Sequence, residues 1–565
     1  MKKLLSVALI LGLALALVPG ADAQEGVYFR TAGGWDAPPA WHGNHYVSGC
    51  CGAAWWFIWE PLFHYVPGDD SIVMRLAQSY ELSDDGLLST VVLQEGSTWH
   101  DGTPATAQDV WDSFAFEKSW NALVWQFLDD IEIVDDMTLR FHWKQATPIA
   151  RQLLAGIQIR APHHIYGEWA QAFWDAGDDE EAKNAIWEDI QEFRPDNPIG
   201  TGPFMIETVT ESTMLFSKFE AHPFADNVGF DGVRVERHSS NEAMWNMLQA
   251  GELDAFHPAA PPDVVEAITS QEGMEYVLVS DLAEFSIYFN PEKYDLATRA
   301  ALVKAIDRPQ MREVSLYYAR DASNYATGVL ASLEEMWLGA DFMADLTAYP
   351  YDPEAATAEL EALGYSKDGD VWKDPDGNDV NIVVGAPSTY SDWVLACENL
   401  AQQLTNFGMP AECQPRDVNV YWDDQDALSY DIDIGWFGVA WGTGHPYTSF
   451  DRLYTGSQDD GRKLGLKGVE EFEVRGEVYN TTELLATLGS ATAFEDQQAV
   501  VQQLALVTNE NLVAMPYLEK QLGIFRSSAA MEGWPAADDP LWTMCGGGIE
   551  RFYVTLMVTG QLQPR

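Results

Sequence analysis

The chain reads as an α/β protein with sheet and helix layered around more than one core, and three observations carry this. Short runs with strand alternation, at 27–31, 139–143, 233–237, 284–290, 380–384 and 432–435, are separated by stretches with helical spacing. Strand–helix alternation of this kind asks for crossover connections. At 565 residues, with 47% hydrophobic residues and 22 tryptophans, the chain is too long for one small core and too apolar for disorder. Two or three domains are therefore expected.

The N-terminus carries the marks of a secretory signal over residues 1–23. Lys2 and Lys3 precede an apolar stretch at 4–18, and Ala21-Asp22-Ala23 fits a cleavage site before Gln24. The apolar stretch is short for a membrane span, no second such run follows, and no cysteine follows it to carry a lipid. The expectation is an exported, soluble mature chain without a lipid anchor. Removing the signal leaves 30 basic and 86 acidic residues, a net charge of −56. Such a surface repels nucleic acid and anionic lipid, and its even spread suits solvation in high salt.

The most informative stretch is 80–110. An alternating strand at 90–93 leads into a turn at Asp101-Gly102, after which Thr106 caps a helix and Asp109 sits where the helix dipole favours an anion. Further on, Asp352-Pro353 starts a helix over 354–363 that Gly364 stops; another covers 391–407 and ends at Gly408, and a third covers 494–509. Five cysteines suit an exported chain. Cys397 and Cys413 make the expected local pair, and of the adjacent Cys50 and Cys51 at most one is expected to reach Cys545.

Six motifs in order resemble the family 5 extracellular solute-binding proteins, the ligand-capturing components of peptide, nickel and oligosaccharide ABC importers. They are the 80–110 stretch, Ala161-Pro-His-His164, Gly200-Thr-Gly-Pro-Phe204, the helix ending in Gly251-Glu-Leu-Asp254, Phe289-Asn290 with 299–308, and 352–365 with its Asp-Gly hairpin at 376–377. The resemblance implies a two-lobed, type II periplasmic-binding-protein fold with a hinge and an extra domain on the first lobe. Carried over, lobe I holds 24–66, 197–280 and 511–565, the extra domain 67–196, and lobe II 281–510. It also implies a ligand in the inter-lobe cleft, ABC permease subunits as partners, and a monomer.

Catalytic signals do not accumulate. There is no G-x-S-x-G, H-E-x-x-H or Walker loop. With this many acids, a carboxylate pair for a glycoside hydrolase carries no weight by itself. His163-His164 reads as part of a turn rather than a metal pair. Asp374, Asp376 and Asp379 read as a hairpin because their spacing fails the EF-hand pattern. The 11 histidines show no metal spacing, so neither nickel nor another cofactor is expected.

The ligand class rests on one departure from the family. Peptide-binding relatives carry an aspartate shortly after a Gly-Trp pair, where it meets the peptide amino group. Here the matching segment, 435–446, contains no acid. It offers Trp436, Phe437, Trp441 and His445 instead; Trp35 and Trp41 follow the first strand, and Tyr390 and Trp393 follow another. Flat aromatics with polar handles suit sugar faces. The leading expectation is an oligosaccharide-binding protein without catalysis; the alternatives are an oligopeptide ligand on the same fold and, remotely, an exported glycoside hydrolase. Trp55, Trp56 and Trp59 are expected to pack as a buried helix.

Overall fold

The computed structural model describes residues 26–47, 50–120, 122–455, 466 and 469–565; the expected signal at 1–23 lies outside the described residues. Three sheets carry the architecture. A four-stranded sheet runs in the order Tyr28–Gly33, Gly232–Arg237, Thr213–Lys218, Phe204–Val209, with the first pair parallel. A second, antiparallel four-stranded sheet orders Ala77–Leu82, Leu88–Leu93, Thr138–Trp143 and Leu128–Asp135. The third, seven-stranded and mixed, follows Ala255–Phe256, Met515–Ser527, Met274–Phe289, Ile432–Phe437, Ile382–Pro387 and Ala411–Arg416, with Arg320–Asp321 added to Met515–Ser527.

Two strands of that last sheet pass from one hydrophobic core to another. Val277, Val279 and Ile524 belong to the core under the first sheet, whereas Phe285, Ile287, Phe289, Met515 and Leu518 belong to a different one. Between these halves the pairing of Met274–Phe289 with Met515–Ser527 slips between Ser280 and Glu284. Leu282 there adopts a left-handed φ of 56°, a conformation that costs a branched side chain energy and persists only where packing over-determines it. Beyond the slip every residue of Met274–Phe289 is buried, as expected of a strand covered on both faces.

Local chemistry explains the elements that sequence spacing predicts. The Asp109 carboxylate accepts the Thr106 backbone N–H at 2.6 Å and closes the start of Ala107–Ser119. Gly102, at φ +87°, makes the turn before it. His163 and His164 diverge: His163 Nδ1 lies 2.8 Å from Asp112 and His164 Nε2 2.7 Å from Asp101, so the pair ties a turn to a helix. Asp374 accepts the Asn378 N–H at 2.8 Å in the hairpin read from its glycine. Among the described residues no group of three or more His, Cys, Asp or Glu is placed to hold a metal ion. The helix read at 391–407 is Ser391–Phe407, ended by Gly408 at φ +99°. The strand read at 380–384 lies later, at Ile382–Pro387, because 379 and 380 fold back onto the preceding hairpin.

Cys397 and Cys413 are joined. The bridge to Cys545 is corrected: Cys50 is bonded to its neighbour Cys51, and Cys545 is a buried free thiol. Its surroundings push its pKa up, chiefly through burial. Trp59 is fully buried, but Trp55 and Trp56 pack only partly, since their helix is a single turn, Trp55–Ile58.

Candidate functional site

Ile382–Pro387 and Ile432–Phe437 are parallel neighbours; Trp436 stands at the carboxyl end of the second, and the segments leaving the two strands supply Tyr390, Asp392 and Trp441. Carboxyl ends of parallel strands are where open α/β sheets place ligands. These side chains form one wall of a cleft of about 380 Å³. The facing wall comes from the far halves of the crossing strands and from loops of the first core: His238, Asn241, His257, Asp281 and Lys520. Asn241 Nδ2 donates across the cleft to Ser391 Oγ at 3.3 Å. A neighbouring space of about 410 Å³, lined by Trp245, Tyr317 and Leu395, shares Tyr318 and Asp392 with it.

The aromatic residues read from sequence separate into three groups. Tyr390, Trp436 and Trp441 line the cleft, with Trp436 and Trp441 4.9 Å apart and edge to face. Trp393 lies buried behind them, 5.6 Å from Trp436 and 5.2 Å from Phe285, and props the wall without lining it. The other four lie elsewhere. Phe437 follows Trp436 on the strand, so its side chain points to the opposite face and enters a core. Trp35 is buried, donates to Thr210 O, and borders a separate hollow of about 760 Å³ beside Tyr46 and Arg160. Trp41 donates to Asp196 O at 3.1 Å. His445 is buried against Trp337, with Nε2 3.0 Å from Gln497 Oε1, and burial pushes its pKa down to about 4.

Sequence reading missed the charges of this cleft. Lys520 Nζ sits 3.0 Å from Asp281 Oδ2 and 4.9 Å from the centroid of the Trp436 ring, an ion pair combined with a cation–π contact. Asp392 stands in the first turn of Ser391–Phe407, and its carboxylate accepts the Trp393 backbone N–H at 3.0 Å. Burial raises its pKa, against the pull of Lys520. Burial also lowers His257 to about 4 and His238 below its ordinary value, so both rings are neutral at pH 7. With Lys520 engaged by Asp281, the cleft presents one carboxylate in excess. The acid missing from 435–446 is thus present in the cleft on a different element. Its one sequence signal was position: an acid between Tyr390 and Trp393 at a helix start.

Among the described residues no helix is long and apolar enough to cross a membrane. A protein of Brucella ovis named as an ABC transporter peptide-binding protein is 26% identical over 396 residues, covering 64% of this chain and 65% of that protein. The match therefore spans just under two thirds of that relative's own length. Two solved structures share the fold. The mannohexaose-bound periplasmic oligopeptide-binding protein of Thermotoga maritima aligns with a TM-score of 0.75 at 22% identity, over 95% of this chain and 98% of that one. The oligopeptide-binding protein AppA of Bacillus subtilis, in complex with a nonapeptide, aligns at 0.70 and 16% identity over 95% and 98%. The architecture is the two-lobed periplasmic-binding-protein fold with an extra domain on the first lobe. The family model for bacterial extracellular solute-binding proteins, family 5 middle, matches residues 71–461, and the chain belongs to that family.

Proposed function

We propose that the chain is the extracytoplasmic capture component of an ABC importer, exported by its signal at 1–23, and that its ligand is an oligopeptide held in the cleft beside Trp436. The lobes are assigned as 24–66, 197–280 and 511–565 against 281–510, with 67–196 as the extra domain. They close about the crossing strands near Leu282 and deliver the ligand, as a monomer, to permease subunits. One observation carries the ligand class: Asp392 is a half-buried carboxylate lining the cleft, and among the described residues it accepts a backbone N–H, that of Trp393. An ammonium brought against a partly desolvated carboxylate stabilises its charged form. The peptide-binding name of the Brucella relative and the nonapeptide in AppA agree with this.

A second reading, an oligosaccharide, is favoured by the Trp436–Trp441 pair and by the mannohexaose in the Thermotoga structure. Turnover of a glycoside is disfavoured: hydrolysis needs two working carboxylates, and Asp281 is held by Lys520. Calorimetric titration with free peptides, their N-acetylated forms and manno-oligosaccharides separates the readings. Acetylation is expected to weaken peptide binding at least about tenfold, the Asp392→Asn variant to lose that discrimination, and the sugars to stay silent. Tight mannose-oligomer binding that Asp392→Asn leaves unchanged sinks the peptide reading.

A further inference from the structure

Phe127 belongs to the 67–196 segment, yet its ring is buried against the second lobe. One hydrophobic cluster runs through both: Trp99, Phe114 and Phe141 on one side, Phe450, Leu488 and Leu504 on the other. The first lobe keeps a separate core. Phe127 stands at the join. It meets Tyr447 edge-on at 5.3 Å, and the Tyr447 hydroxyl lies 3.4 Å from Gln126 Oε1. Gly489, in the helix Thr481–Ser490, makes room for the ring: a Cβ there would lie 2.6 Å from Phe127 Cε1 and 3.3 Å from Tyr447 Cε2.

Both sides of this contact are held in place by their own domain. Lys144 fixes the turn Val124–Phe127, donating through Nζ to Trp125 O at 2.7 Å and through its backbone N–H to Phe127 O at 2.9 Å. Trp125 Nε1 donates to Phe114 O at 2.9 Å. On the other side the Tyr447 N–H donates to His445 Nδ1 at 3.0 Å, so His445 Nε2 carries the ring proton and donates to Gln497 Oε1 at 3.0 Å. Buried His445 is thereby a positioning residue for Tyr447. Side chains already fixed on both partners lose little further freedom on docking.

The same short segment carries the cleft wall and this contact. Trp436 and Trp441 line the cleft. Gly444, at φ +64°, then passes so close to Pro67 that a Cβ would stand 2.9 Å from the Pro67 Cβ. His445 and Tyr447 follow directly.

We propose that Phe127 is a latch: the extra domain plugs a socket formed on the second lobe by Tyr447 and Gly489, and this contact holds the lobes together when no ligand is bound. A ligand that touches both lobes binds the docked form, so a latch that populates this form beforehand tightens binding. The inference rests on the lobe assignment above and is independent of the ligand class.

Small-angle X-ray scattering on the ligand-free mature protein tests it, with circular dichroism to confirm that each variant is folded. The wild type is expected to scatter as the docked form. Gly489→Leu drives a side chain into the Phe127 ring from a helix that leucine suits. It should raise the radius of gyration by shifting the open-to-docked ratio at least about tenfold. Phe127→Ala should do the same by removing the plug. The double variant Phe127→Ala/Gly489→Leu restores bulk from the other side of the contact and should return the wild-type radius, a rescue that two unrelated packing defects would not give. An open wild type, or a Gly489→Leu variant that scatters as the wild type does, overturns the latch. Calorimetry with unmodified peptides and manno-oligosaccharides keeps the two readings apart. Ligand binding with no change in scattering among the variants leaves capture standing and removes the latch. Silence from every ligand removes capture, and the scattering of the variants still decides the latch.

Discussion

Glu60 and Glu284 are buried alike, at 2% and 1% exposure, yet their surroundings treat them in opposite ways. Glu60 lies on a short strand paired with Gln158–Ile159. Burial alone pushes its carboxyl up, but Arg75 Nη2 at 2.7 Å and His222 Nε2 at 3.2 Å pull it below the ordinary range. Glu284 lies just past the slip in the crossing strands, directly opposite Glu519. One of its oxygens accepts the Ala331 N–H at 3.2 Å; the other is buried with no partner among the described residues. Burial, then Glu334 and Glu519, push it well above the ordinary range. Burial also pushes Glu334 up to about 7. Glu60 tolerates charge because the Arg75 guanidinium is packed against it. At the crossing between lobes, three acids share the half-exposed Arg320, 3.3 Å from Glu519, and the field of Arg308. Like charges directly opposite on neighbouring strands are destabilising, so this pairing favours a neutral Glu284.

The largest effect expected from breaking this contrast is at the compensated site. Arg75→Ala leaves Glu60 buried with His222 alone and should cost about 3 to 5 kcal/mol, read as a lower denaturant midpoint with an unchanged slope. A loss under about 1 kcal/mol erases the distinction between the regions. Next comes the pH profile of the crossing. A carboxyl whose folded pKa is raised to about 7 adds stability that is present below about 4.5 and lost as pH rises through 7. Glu334→Gln should therefore gain stability above pH 7, on the order of 2 to 3 kcal/mol, and flatten the melting temperature between pH 5 and 8. A profile as steep as the wild type's removes Glu334 from the account.

Within the cleft, Trp436→Ala should weaken ligand by more than about 1 kcal/mol with little loss of fold. Phe437→Ala, one position on and facing a core, should instead unfold the protein by about 3 kcal/mol or more. Reversed outcomes for these neighbours mean that the strand faces are misassigned. The smallest effect is at Arg320. Its guanidinium is half exposed, so Arg320→Ala should cost under about 1 kcal/mol in denaturant titration and less at high salt.

How much of this was legible varies with the range of the forces involved. The helix Ser391–Phe407, the Asp109 cap, the Gly102 turn and the Cys397–Cys413 bridge were readable because each is contained in one short, continuous stretch of chain. The cleft aromatics were readable in part. Tyr390 and Trp441 follow strand ends and Trp436 stands just inside one, and strand ends can be predicted. Trp35, Trp41 and His445 carry the same local signature, yet each finds a hydrogen-bond partner of its own elsewhere in the fold.

The chain by itself determined its elements, the family and the acidic surface, because hydrophobic period, turn chemistry and net charge act over short spans or over the whole. Tertiary structure alone decided which charges meet. Asp281 and Lys520 are brought together, as are Glu284 and Glu519, from strands far apart in sequence, and Gln152 shares a wall with Arg551 from opposite ends of the chain. Pairing and desolvation depend on separations of a few ångströms between such groups, and no local pattern encodes that proximity.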